Sequence, residues 1–85
     1  MREFEHTVKD ELGIHARPAG LLVKKAKEYE SEIIIEKGEK SAVATKLIAI
    51  MGLCVKCNDI IKIKISGSDE EKAEKELKEF LGANF

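Results

Sequence analysis

The stretch Asp59-Ile60-Ile61-Lys62-Ile63-Lys64-Ile65-Ser66 decides the architecture. Ile61, Ile63 and Ile65 alternate with Lys62 and Lys64, and a period of two marks a strand with one buried and one wet face. Such a strand needs a covering layer on one side only, so a sheet with helices on a single face is expected. Working outward, residues 32–37 carry Ile33-Ile34-Ile35 and read as a strand. Gly38-Glu39 is a hairpin turn, and Ser41-Ala42-Val43 is the return strand. Near the start of the chain Phe4, His6 and Val8 share one face of a strand over residues 4–8, which makes His6 a partly buried strand residue rather than a ligand.

Three segments have helical character. Between residues 16 and 28, Ala19, Leu22, Val23 and Ala26 recur at helical spacing. Pro18 falls in the first turn, where a missing N–H costs nothing. The run at 47–51, with Thr45 before it and Gly52 after it, reads as a short helix. Ser68 followed by Glu71 has the spacing of a capping box. It opens a last helix with Ala73, Leu77, Phe80 and Leu81 on one stripe, ending near Gly82. Asp69, Glu70 and Glu71 in its first turn complement the helix dipole.

At 85 residues the chain has room for one domain, residues 1–85. With 44% hydrophobic residues and no Trp, aliphatic side chains must fill the core. A net charge of −1 is unsuited to holding nucleic acid. The charge is segregated, however: Arg17, Lys24, Lys25 and Lys27 cluster, whereas residues 69–79 are mostly acidic. A basic and an acidic face of this kind suit docking to an acidic protein surface. The longest apolar run, at 47–51, is far short of the roughly 20 residues that span a membrane, and the start of the chain lacks the apolar stretch of a signal peptide. A cytoplasmic protein without membrane insertion is expected. On that reading Cys54 and Cys57, the only cysteines, form no structural disulfide.

The most specific chemistry lies in Gly13-Ile14-His15-Ala16-Arg17-Pro18-Ala19-Gly20. His15 stands where a loop enters a helix, and the helix start directs unpaired N–H groups, first those of Ala16 and Arg17, towards it. The positive end of the dipole and those amides favour an anion. Arg17 adds a permanent cation whose fork matches phosphate oxygens. The same field disfavours imidazolium, leaving a neutral, nucleophilic ring nitrogen. The site is therefore suited first to attack phosphorus and then to hold the dianion. No Walker loop, metal-ligand set or second general base lies nearby, so no metal or cofactor is expected and the phosphoryl group must come from a donor protein. Leu21 lies off the buried stripe, and Leu47, Ile48, Ile50 and Met51 are too many apolar groups for one short helix to bury. A small apolar patch ringed by lysines suits a transient protein interface.

Taken with the element order, the stretch at 13–20 closely resembles the histidine-containing phosphocarrier (HPr) family of the bacterial sugar phosphotransferase system, and Leu47-Ile48-Ala49-Ile50-Met51-Gly52-Leu53 is similar to its second signature. The resemblance implies an α+β open-faced β-sandwich, βαββαβα, with four antiparallel strands covered by three helices. It implies a carrier that is not an enzyme by itself, phosphorylated on Nδ1 of His15 by phospho-enzyme I, whose phosphate comes from phosphoenolpyruvate. The group would pass to a histidine of a sugar-specific IIA protein, with Ala16 and Arg17 holding the phosphate. Docking would use Gly20, Leu21, Lys24, Lys27, Leu47, Ile48 and Met51. A monomer suits such a shuttle. The alternatives are a paralogue in a regulatory or nitrogen-linked phosphotransferase system, and a binding module controlled by phosphorylation.

Two departures stand out. Many Gram-positive members carry a regulatory serine at the start of the short helix; here that position is Lys46, which cannot take phosphate. Ser41 and Thr45 are the neighbouring hydroxyls, displaced from it along the chain. Where the family usually has glycine, this chain has Cys54, completing a Cys54-Val55-Lys56-Cys57 motif. Without the strand-to-helix context of a redox motif, it reads as two small residues before the last strand.

Overall fold

The alternating isoleucines form β4 (Ile60–Ser66), which lies inside a four-stranded antiparallel sheet of order β1-β4-β2-β3 in a computed structural model describing residues 1–14 and 16–85. The remaining elements are β1 (Arg2–Thr7), α1 (Ala16–Ala26), β2 (Glu32–Lys37), β3 (Lys40–Val43), α2 (Leu47–Met51) and α3 (Glu70–Asn84). Register follows the apolar alternation. Phe4 and His6 of β1 face Ile63 and Ile61 of β4, while Ile33 and Ile35 of β2 face Ile65 and Ile63. Ile61, Ile63, Ile65, Ile33 and Ile35 are buried, with Ala42 of β3 beside Ile35. Against this face α1 places Pro18, Ala19, Leu22 and Ala26, α2 places Ile50, and α3 places Ala73, Leu77 and Leu81. Among the described residues no helix is long and apolar enough to cross a membrane.

Both helical crossovers skip a strand. The β1–α1–β2 connection leaves a gap that β4 fills, and β3–α2–β4 steps over β2. Helices made by parallel crossovers of one hand fall on the same face of the sheet, and α1 and α2 pack together.

Four local expectations change. First, α1 stops at Ala26 rather than Glu28 because its exit tightens: the N–H groups of Glu28 and Tyr29 donate to the oxygens three residues back. That turn buries the Tyr29 ring and lets its hydroxyl donate to Glu76. Second, the capping box does not form. Ser68 Oγ donates instead to Glu30 Oε2 at 2.9 Å, and Asp69 takes the N-cap position without a side-chain cap bond. Its carboxylate accepts from the Glu30 and Ser31 N–H groups, each at 2.9 Å, and from Ser31 Oγ. Partners 38 residues away in sequence have displaced the local cap. Third, α3 runs through Gly82 to Asn84, after which Phe85 turns into the core 6.3 Å from the Phe80 ring. Fourth, β1 ends at Thr7, although Val8 stays fully buried and donates to Asp59 O at 2.9 Å.

His6 is half-buried as expected, and its Nε2 lies buried with no hydrogen-bond partner among the described residues. Part of the acidic segment on α3 is paired within the molecule. Glu70 pairs with the N-terminal ammonium at 2.8 Å, and Glu71 with Arg2 at 2.8 Å. Glu76 faces Lys25 at 3.6 Å.

Candidate functional site

Hydrogen bonds hold the loop of residues 9–14 that leads towards α1. Asp10 Oδ1 accepts the Leu12 N–H at 2.9 Å and Asp10 O accepts that of Gly13 at 2.9 Å, a turn of the kind aspartate favours. The N–H groups of Lys9 and Asp10 both donate to Phe85 O, at 3.2 Å from Asp10. Ile14 is buried and donates to Val55 O at 3.1 Å. Gly13 has φ +69°, and a Cβ there would stand 2.2 Å from Val55 O and 2.7 Å from the Lys56 Cα. Glycine is required here on two counts: the left-handed backbone and the close approach of a second chain segment. His15 itself lies outside the described residues.

Beyond it, α1 begins at Ala16 with no acidic residue in its first turn. Ala16 and Arg17 are exposed, and Pro18 is buried. Arg17 has no ion pair or hydrogen bond among the described residues. Its charge therefore adds to the positive pole of the helix without a carboxylate to offset it. Among the described residues, no group of three or more His, Cys, Asp or Glu side chains is placed to hold a metal ion.

The residues expected to dock a partner are on the surface. Leu21, Lys24 and Lys27 are exposed, and Gly20 is half-buried with open space where a Cβ would be. On α2, Leu47 and Met51 are each 37% exposed and Ile48 is 81% exposed, while Ile50 alone of the four apolar side chains is buried. The helices α1 and α2 that carry or precede these groups pack together. Lys46 precedes α2 at the N-cap in an extended conformation without a cap bond (φ −114°, ψ 100°). Ser41 is exposed on β3, and Thr45 is half-buried in the turn before α2.

Cys54 and Cys57 are free thiols in the segment between α2 and β4. Cys54 has φ +53°, which accounts for the glycine that the family resemblance places at this position. Cys57 Sγ approaches Lys9 O at 3.7 Å. Reading the sequence did not identify the residues that shape the 9–14 loop from behind, namely Val55, Lys56 and Phe85. They act through backbone groups, so no side-chain pattern announces them.

Comparison with known proteins agrees with this picture. The family model for the phosphotransferase-system HPr component phosphorylation site matches residues 2–83. The phosphocarrier protein HPr of Mycoplasma genitalium is 37% identical over 86 residues, covering 99% of this chain and 97% of that protein. A crystal structure of HPr-C-His from Thermoanaerobacter tengcongensis superposes with a TM-score of 0.93 at 36% identity, over 100% of this chain and 96% of that one. A crystal structure of an HPr dimer from the same organism gives 0.77 at 36% identity, over 98% and 95%. The chain thus belongs to the HPr phosphocarrier family, with the open-faced α+β sandwich of that family.

Proposed function

We propose that this protein is the phosphocarrier of a phosphoenolpyruvate-dependent sugar phosphotransferase system, accepting a phosphoryl group on Nδ1 of His15 from phospho-enzyme I and passing it to a histidine of a IIA protein. One observation carries this reading: an exposed guanidinium without a partner among the described residues, in a helix first turn that has no acid, directly after His15. In transfer, the neutral ring nitrogen attacks phosphorus while the bond to the donor breaks. Arg17 and the first amides of α1 then face the dianion. The next acceptor removes the group by the same displacement in reverse. The chain supplies the acceptor and its anion cradle, and the partner proteins supply the rest of the machinery, so it is a carrier rather than an enzyme by itself.

Docking uses Gly20, Leu21, Lys24 and Lys27 of α1 with Leu47, Ile48 and Met51 of α2. That surface has an apolar centre with cations around it, as brief encounters with acidic partners require. The carrier acts as a single 85-residue domain, a monomer in the cytoplasm, and needs no metal or cofactor. With Lys46 at the N-cap of α2, it is not controlled by serine phosphorylation there.

The deciding experiment mixes the protein with enzyme I and labelled phosphoenolpyruvate, then adds IIA proteins. Acid-labile label on His15 that chases onto a sugar-specific IIA is expected. Transfer only to a nitrogen-linked IIA would reassign the pathway, and undiminished labelling of His15→Ala would end the proposal.

A further inference from the structure

The acceptor loop is backed by a second loop, residues 54–59, and the way that loop is held suggests a role for two residues outside the docking surface. Lys37, the last residue of β2, donates from Nζ to Cys54 O at 2.8 Å and lies 3.0 Å from Asp59 Oδ2. Asp59 Oδ2 also accepts the Lys56 N–H at 2.8 Å, and the Asp59 N–H donates to Lys56 O at 3.0 Å. One ammonium and one carboxylate therefore fasten both ends of the loop. The loop needs fastening, since Cys54 and Asn58 both adopt left-handed backbone, at φ +53° and +75°, and such residues persist only where their surroundings hold them. The Asp59 carboxyl is held below its ordinary range, first by the Lys56 N–H and then by the Lys37 ammonium.

Four hydrogen bonds or close polar contacts tie this loop to the segment before α1. Val55 O receives the Ile14 N–H, and Val55 and Lys56 define the space in which Gly13 has room only for a hydrogen. Asn58 N–H donates to Val8 O at 2.7 Å, Val8 N–H to Asp59 O, and Cys57 Sγ approaches Lys9 O. The two segments are thus in register through backbone atoms at both ends. A shift of the 54–59 loop would be passed rigidly to Gly13 and Ile14, and so to the entry of α1.

We propose that Lys37 and Asp59 are positioning residues for the phosphoryl acceptor, setting through Val55 and Lys56 the point from which the chain delivers His15 to the start of α1. This rests on His15 being the acceptor. An ion pair acting merely as a surface pair would contribute little to stability and nothing to transfer.

The test compares Lys37→Met, Lys37→Arg, Asp59→Asn and the Lys37→Met/Asp59→Asn pair with the parent chain. Steady-state transfer from phospho-enzyme I and amide exchange by NMR are measured on each. Loss of register at an acceptor lowers turnover more than partner affinity, so kcat should fall about 5- to 20-fold in Lys37→Met and Asp59→Asn with KM little changed. The double variant should be no slower than the worse single one. Lys37→Arg should regain most of the rate. Exchange at the Ile14 amide should quicken about tenfold while the Ile33, Ile35 and Ile63 amides keep their protection. Parental kcat with parental Ile14 exchange in Lys37→Met would overturn the proposal. So would a rate loss that Arg does not restore and that accompanies faster exchange across the whole sheet. If the parent chain takes no phosphoryl group on His15, the acceptor assignment itself is wrong and this inference falls with it.

Discussion

At Cys54 the backbone sits in a conformation that costs a side-chain-bearing residue about 1 kcal/mol or more, while the thiol is exposed. Cys54→Gly should therefore raise stability by about 0.5–1 kcal/mol, read as a higher urea midpoint at unchanged slope, and leave phosphoryl transfer as it was. A lower midpoint would mean that the thiol has a structural partner. Tyr29, the only tyrosine in the chain, offers a second reading at this scale. Burial, and then its hydrogen bond to Glu76, push its phenol from 10.0 up to about 12. The folded state thus holds the proton more tightly than the unfolded one. Its contribution to stability is complete below pH 10, the unfolded value, and is lost as pH rises from there through about 12. Phenolate absorbance should show a midpoint near 12 in the native protein, and Tyr29→Phe should remove that part of the alkaline decline. An ordinary midpoint in folded protein would mean that the phenol is not buried against Glu76.

At the scale of elements, α3 makes the clearest prediction. Gly82 is helical, and a Cβ there would meet nothing within 4 Å. Gly82→Ala should then stabilise by roughly 0.5–1 kcal/mol, detectable as a rise in Tm. A fall would place the helix end near Gly82, where the glycine alone suggests it. The same helix displays both how much of the fold is legible in a sequence and where legibility ends. The stripe of Ala73, Leu77 and Leu81 is a local pattern, and it is buried as its period requires. The start of the helix is not local: the Ser68 and Asp69 side chains are drawn to Glu30 and Ser31. Periodicity identifies strands and helices because burial imposes it, whereas capping can be outbid by a partner that only the tertiary fold brings near. The candidate site divides along the same line. The pattern from Gly13 to Gly20 makes His15 and Arg17 legible. The backing by Val55 and Lys56 is not, because the contacts run through carbonyl oxygen and Cα.

For the molecule as a whole, the exposed groups of α1 and α2 are the surface on which the proposed relay would depend. Ile48, at 81% exposure, supports no core. Ile48→Glu should shift stability by less than about 0.5 kcal/mol. If it anchors the encounter, it should raise KM for phospho-enzyme I about tenfold or more. A parental KM would remove α2 from the docking surface. Several acidic side chains of α3 are engaged in internal pairing. Arg2 and the terminal ammonium engage Glu70, Glu71 and Glu74 of α3, so a net charge near zero conceals a separation between exposed lysines on and just after α1 and carboxylates tied to the N-terminal strand.

The strand order carries a consequence for biogenesis. Because β4 lies between β1 and β2, the first two strands made by the ribosome cannot pair with each other. They must wait for residues 60–66, nearly three quarters of the way along the chain. Closing such a distance is slow, and a nascent chain arrested before that point has the β2–β3 hairpin but no central strand to join β1 to it. Proteases and chaperones should therefore treat every shorter synthesis product as unfinished.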